Sequence, residues 1–461
     1  MMSTLSARQI TVFICACFAL RLGALQPCMI RIVDRDSQWP VPLVELRTTH
    51  NLRFISDNAG IIACDAPELM GRETWFTVIG HGYSVPRDGF GCAGVRLTPQ
   101  PGITQCVAVT RTILARRIGR LTGGGLFAET LQCGGSAPLP ENGAFGSDSV
   151  FVARYHEKLF WLWGDTALPN YPLGLFHTPG ATTPLQPLPT AQPPLALPFD
   201  YFRDPKTQQP CNLAHFSGDG PTWLSGLVAL PDQTGKQRLC AVYTKIKPPL
   251  DAYEIGLCCW DDARALFTPI RTLWRATDAH EKPIVPEGHA IRWRAADGTP
   301  HILFGNPLPR LSCPETFEAW NEPASWKTHT PQTTLRVKGD PARSIKLHSG
   351  SMVWHALRQR WLIVFMEAFG TPSTFGEIWY AEANDPFAEW TDAVKILTHE
   401  SYTFYNPMVH QWLVPENKDY ILFEGTYTHQ FQNGAVQTPR WDYNQVLYRL
   451  DFADLERYKQ K

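Results

Sequence analysis

The sequence predicts an all-β chain, and two observations carry that prediction. The first is one pattern written five times: SDSVFVARYHEKLFWLWGD from Ser147, SGLVALPDQTGKQRLCAVY from Ser225, EGHAIRWRAADGTPHILFG from Glu287, SGSMVWHALRQRWLIVFME from Ser349 and YNPMVHQWLVPENKDYILFEG from Tyr405. Each copy runs through a short apolar strand, turns at polar residues and closes with a second apolar strand. The second observation is a set of alternating apolar strands and turn residues nearer the N-terminus, IRIVDRDSQWPVPLVELRTTHNLRFISDNAGIIACDAP. The copies begin near residues 148, 225, 287, 349 and 406, a period of roughly 60 residues, which marks a repeat architecture. Two hairpin strands plus about 40 further residues per unit suit a four-stranded blade. The expected fold is therefore a five-bladed β-propeller over 145–455, preceded by a small β-sandwich over 29–102.

The repeat also orders the chemistry. In an antiparallel hairpin the start of the first strand and the end of the second share one edge of the sheet. Residues that open the copies should then meet residues that close them at one mouth of the ring. The openers include Asp148, Glu287, His289 and Asn406; the closers include Asp165, Asn306, Glu367 and Glu424. Carboxylates converging from separate blades are what cleavage of a glycosidic bond requires.

From the N-terminus, residues 1–26 read as an export signal. Arg8 precedes the apolar run Ile10 to Leu20, and Leu22-Gly23-Ala24 offers small residues for cleavage. The run is short for a membrane span, but Arg21 weakens the cleavage pattern and leaves an uncleaved anchor open. A secreted or periplasmic location follows. Residues 103–144 read as a connector, with the basic stretch Arg111 to Gly125 either linking the units or packing along the propeller as a strand. Nine prolines between Pro169 and Pro198 read as a surface loop at the rim.

Net charge is −1 with mixed signs along the chain, so nothing points to a nucleic-acid partner. The chain has 12 Cys, ten of them beyond the signal, and Cys64 with Cys92 is a plausible disulfide in the small unit. No Cys/His spacing suits zinc, and no cofactor is implied. A channel-bound calcium, needing only carbonyls, waters and one or two acids, stays open. There is no GxSxG elbow, no Walker loop and no dinucleotide fingerprint.

Val33-Asp34, Pro42-Leu43-Val44, Ser56-Asp57-Asn58-Ala59-Gly60, Gly82-Tyr83 and Val95-Arg96-Leu97-Thr98-Pro99 make the small unit resemble the transthyretin-like (prealbumin-like), carboxypeptidase-regulatory type of β-sandwich. That resemblance implies a non-catalytic accessory. In the repeat region, Ser147-Asp148-Ser149, Trp163-Gly164-Asp165-Thr166, Glu287-Gly288-His289 and the Asn384-Asp385-Pro386-Phe387-Ala388-Glu389-Trp390 turn resemble the five-bladed glycosidases that include arabinanases, xylosidases and fructosidases. The resemblance implies Asp148 on blade one as general base and Glu287 on blade three as general acid. It also implies a third carboxylate opening blade two, where this chain has Ser225-Gly226. Asp219 lies a few residues upstream, and Asp165, Glu367 or Glu424 could take that part from hairpin ends.

In an inverting site the two carboxyls stand roughly 6.5–9.5 Å apart to admit a water. Glu287 would need burial or a neighbouring carboxylate to keep its proton, and Asp148 a donor nearby to stay ionised. His289 falls on the same side of its strand as Glu287 and could bind substrate. Two alternatives remain: a non-catalytic carbohydrate-binding propeller, and a polysaccharide lyase using Tyr405 or His410 beside a basic residue. In every case the partner is an oligo- or polysaccharide.

Overall fold

A computed structural model describes residues 26–123, 128–138 and 143–459. Residues 1–25 of the expected export signal lie outside that range. The described chain is all-β, with helix confined to short pieces such as Phe452–Lys459 at the C-terminal end. Among the described residues, no helix is long and apolar enough to cross a membrane.

Two four-stranded sheets form the N-terminal unit. One orders Ile61–Cys64, Cys28–Asp34, Thr104–Arg111 and Tyr83–Ser84; the other orders Arg53–Ile55, Glu45–Thr48, Thr74–Ile79 and Gly94–Leu97. Alternation along the strands sends Ile30, Ile32 and Val107 from the first sheet, and Leu46, Phe76 and Val78 from the second, into one shared core. Cys64 faces Cys28 across paired strands, while Cys92 is exposed, and all ten described cysteines are free thiols. The Cys64–Cys92 pairing therefore gives way to a neighbour set by strand register.

Each of the five sequence copies supplies the first two strands of one antiparallel sheet. Sheet I comprises Val150–Tyr155, Lys158–Trp163, Gly180–Pro184 and Asp200–Tyr201. Sheet II comprises Thr222–Pro231, Gln237–Lys247, Asp251–Asp261 and Leu266–Arg275. Sheet III comprises His289–Arg294, Pro300–Gly305, Pro309–Pro314 and Lys327–Thr328. Sheet IV is built on Asp340–His355, Arg360–Glu367, Ile378–Ala383 and Val394–Leu397, with Thr334–Val337 added at its edge. Sheet V comprises Thr403–Val409, Tyr420–Thr428, Asn444–Asp451 and, from far upstream, Arg116–Arg120.

In the 103–144 stretch, Arg116–Arg120 takes the second of the two expected forms, a strand, as the outermost of sheet V. Two other stretches differ from the sequence expectation. Thr104–Arg111 belongs to the N-terminal unit, pairing in parallel with Cys28–Asp34. The proline-rich segment contributes the third strand of sheet I. It also packs Ala191, Leu195 and Leu197 into the core between sheets V and I, because proline denies a donor without preventing apolar burial.

The sheets are buried on both faces, which explains second strands such as KLFWLW with no polar alternation. Successive side chains enter alternate cores: Trp161 packs with Leu422 and Leu447 of sheet V, whereas Phe160 and Leu162 pack with Leu239 and Tyr243 of sheet II. Further cores join II to III through Val228 and Phe304, III to IV through Leu303 and Ile363, and IV to V through Val364 and Phe423. The five cores close a cycle. Truncating a buried aromatic such as Trp161 to alanine should cost about 3–5 kcal/mol.

Arg117 locks the N-terminal unit onto sheet V. Its buried guanidinium donates to the carbonyls of Pro42 (2.9 Å), Leu43 (3.2 Å), Gly80 (2.6 Å) and His81 (3.1 Å) and to the Tyr448 hydroxyl (3.3 Å). A buried charge is tolerable when its donors are satisfied in this way.

Candidate active site

The first strands of the five sheets share a local device. Asp148, Ser225, Glu287, Ser349 and Tyr405 occupy equivalent positions; all but Ser349 stand one residue before a kink, and Ser349 lies within the irregularity of its own strand. The kink residues Ser149, Gly226, Gly288 and Asn406 have φ of 42°, 65°, 87° and 51°. Register shifts in sheets II, IV and V mark β-bulges there, and a bulge re-aims the side chain beside it. Glycine is required in two copies: a Cβ on Gly226 would meet the Pro286 carbonyl oxygen at 1.9 Å, and one on Gly288 that of Gly305 at 2.3 Å.

Hydrogen bonds join the sheets around this mouth. Trp223 Nε1 donates to Asp165 Oδ1 (3.2 Å), the Gly226 amide to the Gly288 carbonyl (3.0 Å) and the Gly350 amide to Asn306 Oδ1 (2.7 Å). The Val409 amide donates to Ser351 Oγ (2.7 Å) and Asn406 Nδ2 to Ser149 Oγ (2.6 Å), which links V back to I. Two cavities open here. One, of about 390 Å³, is lined from all five sheets and holds Glu287, His289, Arg310, His348 and Asn406. The other, of about 430 Å³, holds Asp148, Asp165, Trp223, Tyr405, Phe431 and Tyr443. They share Ser149, Phe151 and Ser225 as a common wall.

Asp148 is fixed from several directions. Its amide donates to the Asp165 carbonyl (3.1 Å), Tyr405 Oη donates to Oδ2 (2.8 Å), and Tyr443 also hydrogen-bonds the carboxyl. Gly164 leaves room for it, since a Cβ there would stand 2.1 Å from Asp148 Oδ1. Burial pushes the Asp148 carboxyl up to about 6, held from rising further by the two tyrosines. Asp165 is pushed up to about 8, first by burial and then by the Asp148 charge, against the Trp223 donor. At neutral pH the pair thus holds one charge and one proton.

Glu287 is exposed in its cavity and makes no side-chain hydrogen bond or ion pair among the described residues. The burial expected around it is found around Asp165 instead, because Glu287 sits on the open side of the kink. His289 packs on Phe151 with ring centroids 5.2 Å apart, and burial lowers its imidazole to about 4, so it is neutral at physiological pH.

Glu367 and Glu424 do not line these cavities. Glu367 accepts from Arg343 (3.1 Å) and Trp379 Nε1 (2.9 Å), and Glu424 pairs with His410 Nε2 (2.7 Å) inside the packing between sheets. Glu367 ends the second strand of sheet IV, but Glu424 lies in the middle of Tyr420–Thr428 rather than at its end, and the partners of both hold them inside the packing. Tyr443 and Trp223, which bond the two aspartates, carried no motif; Tyr405 was signalled by its place in the repeat. Among the described residues no group of three His, Cys, Asp or Glu side chains could hold a metal.

No protein-family model matches the chain, and no curated protein sequence matches it. Among solved structures, the chain is similar to an exo-β-1,3-galactanase from Phanerochaete chrysosporium, with 9% identity, TM-score 0.40, and coverage of 67% of this chain and 61% of that one. It is also similar to an exo-1,5-α-L-arabinanase from a bovine ruminal metagenomic library, with 8% identity, TM-score 0.38, and coverage of 67% and 94%. At such TM-scores neither likeness bears on what this chain does.

Proposed function

We propose that this protein is an exported glycoside hydrolase. In this reading its five sheets are the blades of a propeller, and the N-terminal unit is a transthyretin-like accessory sandwich. Asp148 is the general base and Glu287 the general acid. Asp148 takes a proton from a water as that water attacks the anomeric carbon. Glu287, whose exposed side a bound sugar would cover and desolvate, gives a proton to the glycosidic oxygen as its bond to that carbon breaks, so the products are two sugars and the configuration inverts. Asp165, protonated beside Asp148, stands in for the carboxylate that Ser225 does not provide.

One observation carries this reading. Asp148 and Glu287 hold the same repeat position on sheets I and III, open onto adjoining cavities, and meet no cation among the described residues. Elsewhere a buried carboxylate such as Glu367 or Glu45 meets a cation, Arg343 or Arg53. The lyase reading lacks its base: the Tyr405 hydroxyl is engaged by Asp148, and His410 by Glu424. The binding-protein reading keeps one point in favour, Ser225 in place of an acid.

The test is reducing-sugar release from aryl glycosides and soluble arabinan, galactan and xylan. Release by the wild type, lost in Asp148→Asn and Glu287→Gln at unchanged Tm, supports the hydrolase. Retention on a polysaccharide with no release from any substrate supports the binding protein.

A further inference from the structure

Two exposed aromatic residues sit in backbone that disfavours them. Phe369 and Phe431 have φ of 57° and 62°, and they are 74% and 61% exposed. A bulky side chain in the left-handed region is an outlier, and such strain collects at functional sites. Packing does not explain these two, since most of each ring faces water. Phe369 lies just beyond the second strand of sheet IV, and Phe431 just beyond that of sheet V, so both stand on the mouth side.

Phe375 joins them, with ring centroids 5.5 Å from Phe369 and 6.2 Å from Phe431. Phe431 is 5.8 Å from Tyr405, whose hydroxyl holds Asp148, and it also lines the Asp148 cavity. An unbroken line of aromatic rings therefore runs from the outer rim to the candidate base. A flat ring offers apolar contact to the C–H face of a sugar while the sugar's hydroxyl edges stay in water.

We infer that Phe369, Phe375 and Phe431 form a platform for the chain of a polysaccharide beyond the units in the cavities. The substrate is then a polymer, rather than a small glycoside that a cavity alone would hold. This rests on the glycan reading, with the platform continuous with that site.

The test is electrophoretic retardation in gels containing soluble arabinan, galactan or xylan, using full-length Asp148→Asn as parent. Phe369→Gly and Phe431→Gly are then added singly. Glycine accepts a positive φ at no steric cost, so Tm should hold or rise. Loss of one stacking ring should weaken polymer affinity about 2- to 10-fold. Retardation equal to the parent's would overturn the platform and leave the hydrolase reading intact. So would a parent that no polysaccharide retards; aryl-glycoside cleavage by wild type then decides separately whether the hydrolase reading survives. Self-association of the parent that the glycine variants abolish, with polymer retardation unaltered, would reassign these rings to a contact between copies.

Discussion

Beside the exposed Glu287, four carboxylates of the repeated hairpins are drawn into the molecule, and it treats them in two ways. Glu367 and Glu424 are buried with Arg343 and His410 beside them. Asp165 is buried and Asp148 half-buried, with neutral donors only, the tyrosines and Trp223. A carboxylate paired inside the packing is costly to unpair. A carboxyl desolvated beside a cavity has its pKa raised toward neutrality, where proton transfer is most effective. Burial alone does not separate fold from chemistry here; opening onto a cavity does, as Asp148 and Asp165 do and Glu367 and Glu424 do not.

The largest effect that sharpens this contrast is expected at Glu287. Glu287→Gln should lower kcat by about 10²–10⁴, the usual worth of a general acid, and leave Tm unchanged because the side chain is exposed and unbonded. Steady-state kinetics beside a thermal melt checks it. Gly164→Ala comes next. Its Cβ would collide with Asp148 Oδ1, and a displaced reacting group can cost about 10² in rate. The same alanine placed at exposed Gly89, which has open space around its Cβ position and no positive φ, is the kinetic control.

A smaller effect concerns pH. Asp165 has a folded pKa of about 8, raised from about 4 in an unfolded chain. Its neutral form therefore favours the folded state fully below pH of about 4, and that contribution is lost as pH rises through about 8. Tm of wild type should fall more steeply between those limits than Tm of Asp165→Asn. Parallel curves would show that Asp165 titrates normally. The smallest change is expected from Tyr405→Phe, which removes a donor holding Asp148 down. The acid limb of the rate profile, near pH 6 in wild type, should move to higher pH.

The hairpins could be read from sequence because their signals are local: apolar runs, a turn, and a glycine or asparagine such as Gly226, Gly288 or Asn406 at the kink. Asp148 and Glu287 stood out for the same reason, as carboxylates in register within a repeat. What stayed hidden is tertiary. Nothing near Glu424 in sequence announces that His410 will meet it, or that Arg343 will meet Glu367. Tyr443 reaches Asp148 across the ring from 295 positions away. Arg116–Arg120 joins sheet V across more than 300 residues of chain, which no local pattern encodes. Ser149 adopts its positive φ without a glycine to mark it, so the first kink could be placed only by analogy with the others.

The most direct measurement sets Asp148→Asn beside Glu424→Gln and records kcat and Tm for both. Asp148→Asn should lose activity by about 10²–10⁴ while keeping its Tm, and Glu424→Gln should lose Tm while the folded fraction keeps its kcat. Loss of Tm in both, or loss of kcat in Glu424→Gln alone, would contradict the division between carboxylates that hold the fold and carboxylates that do the chemistry.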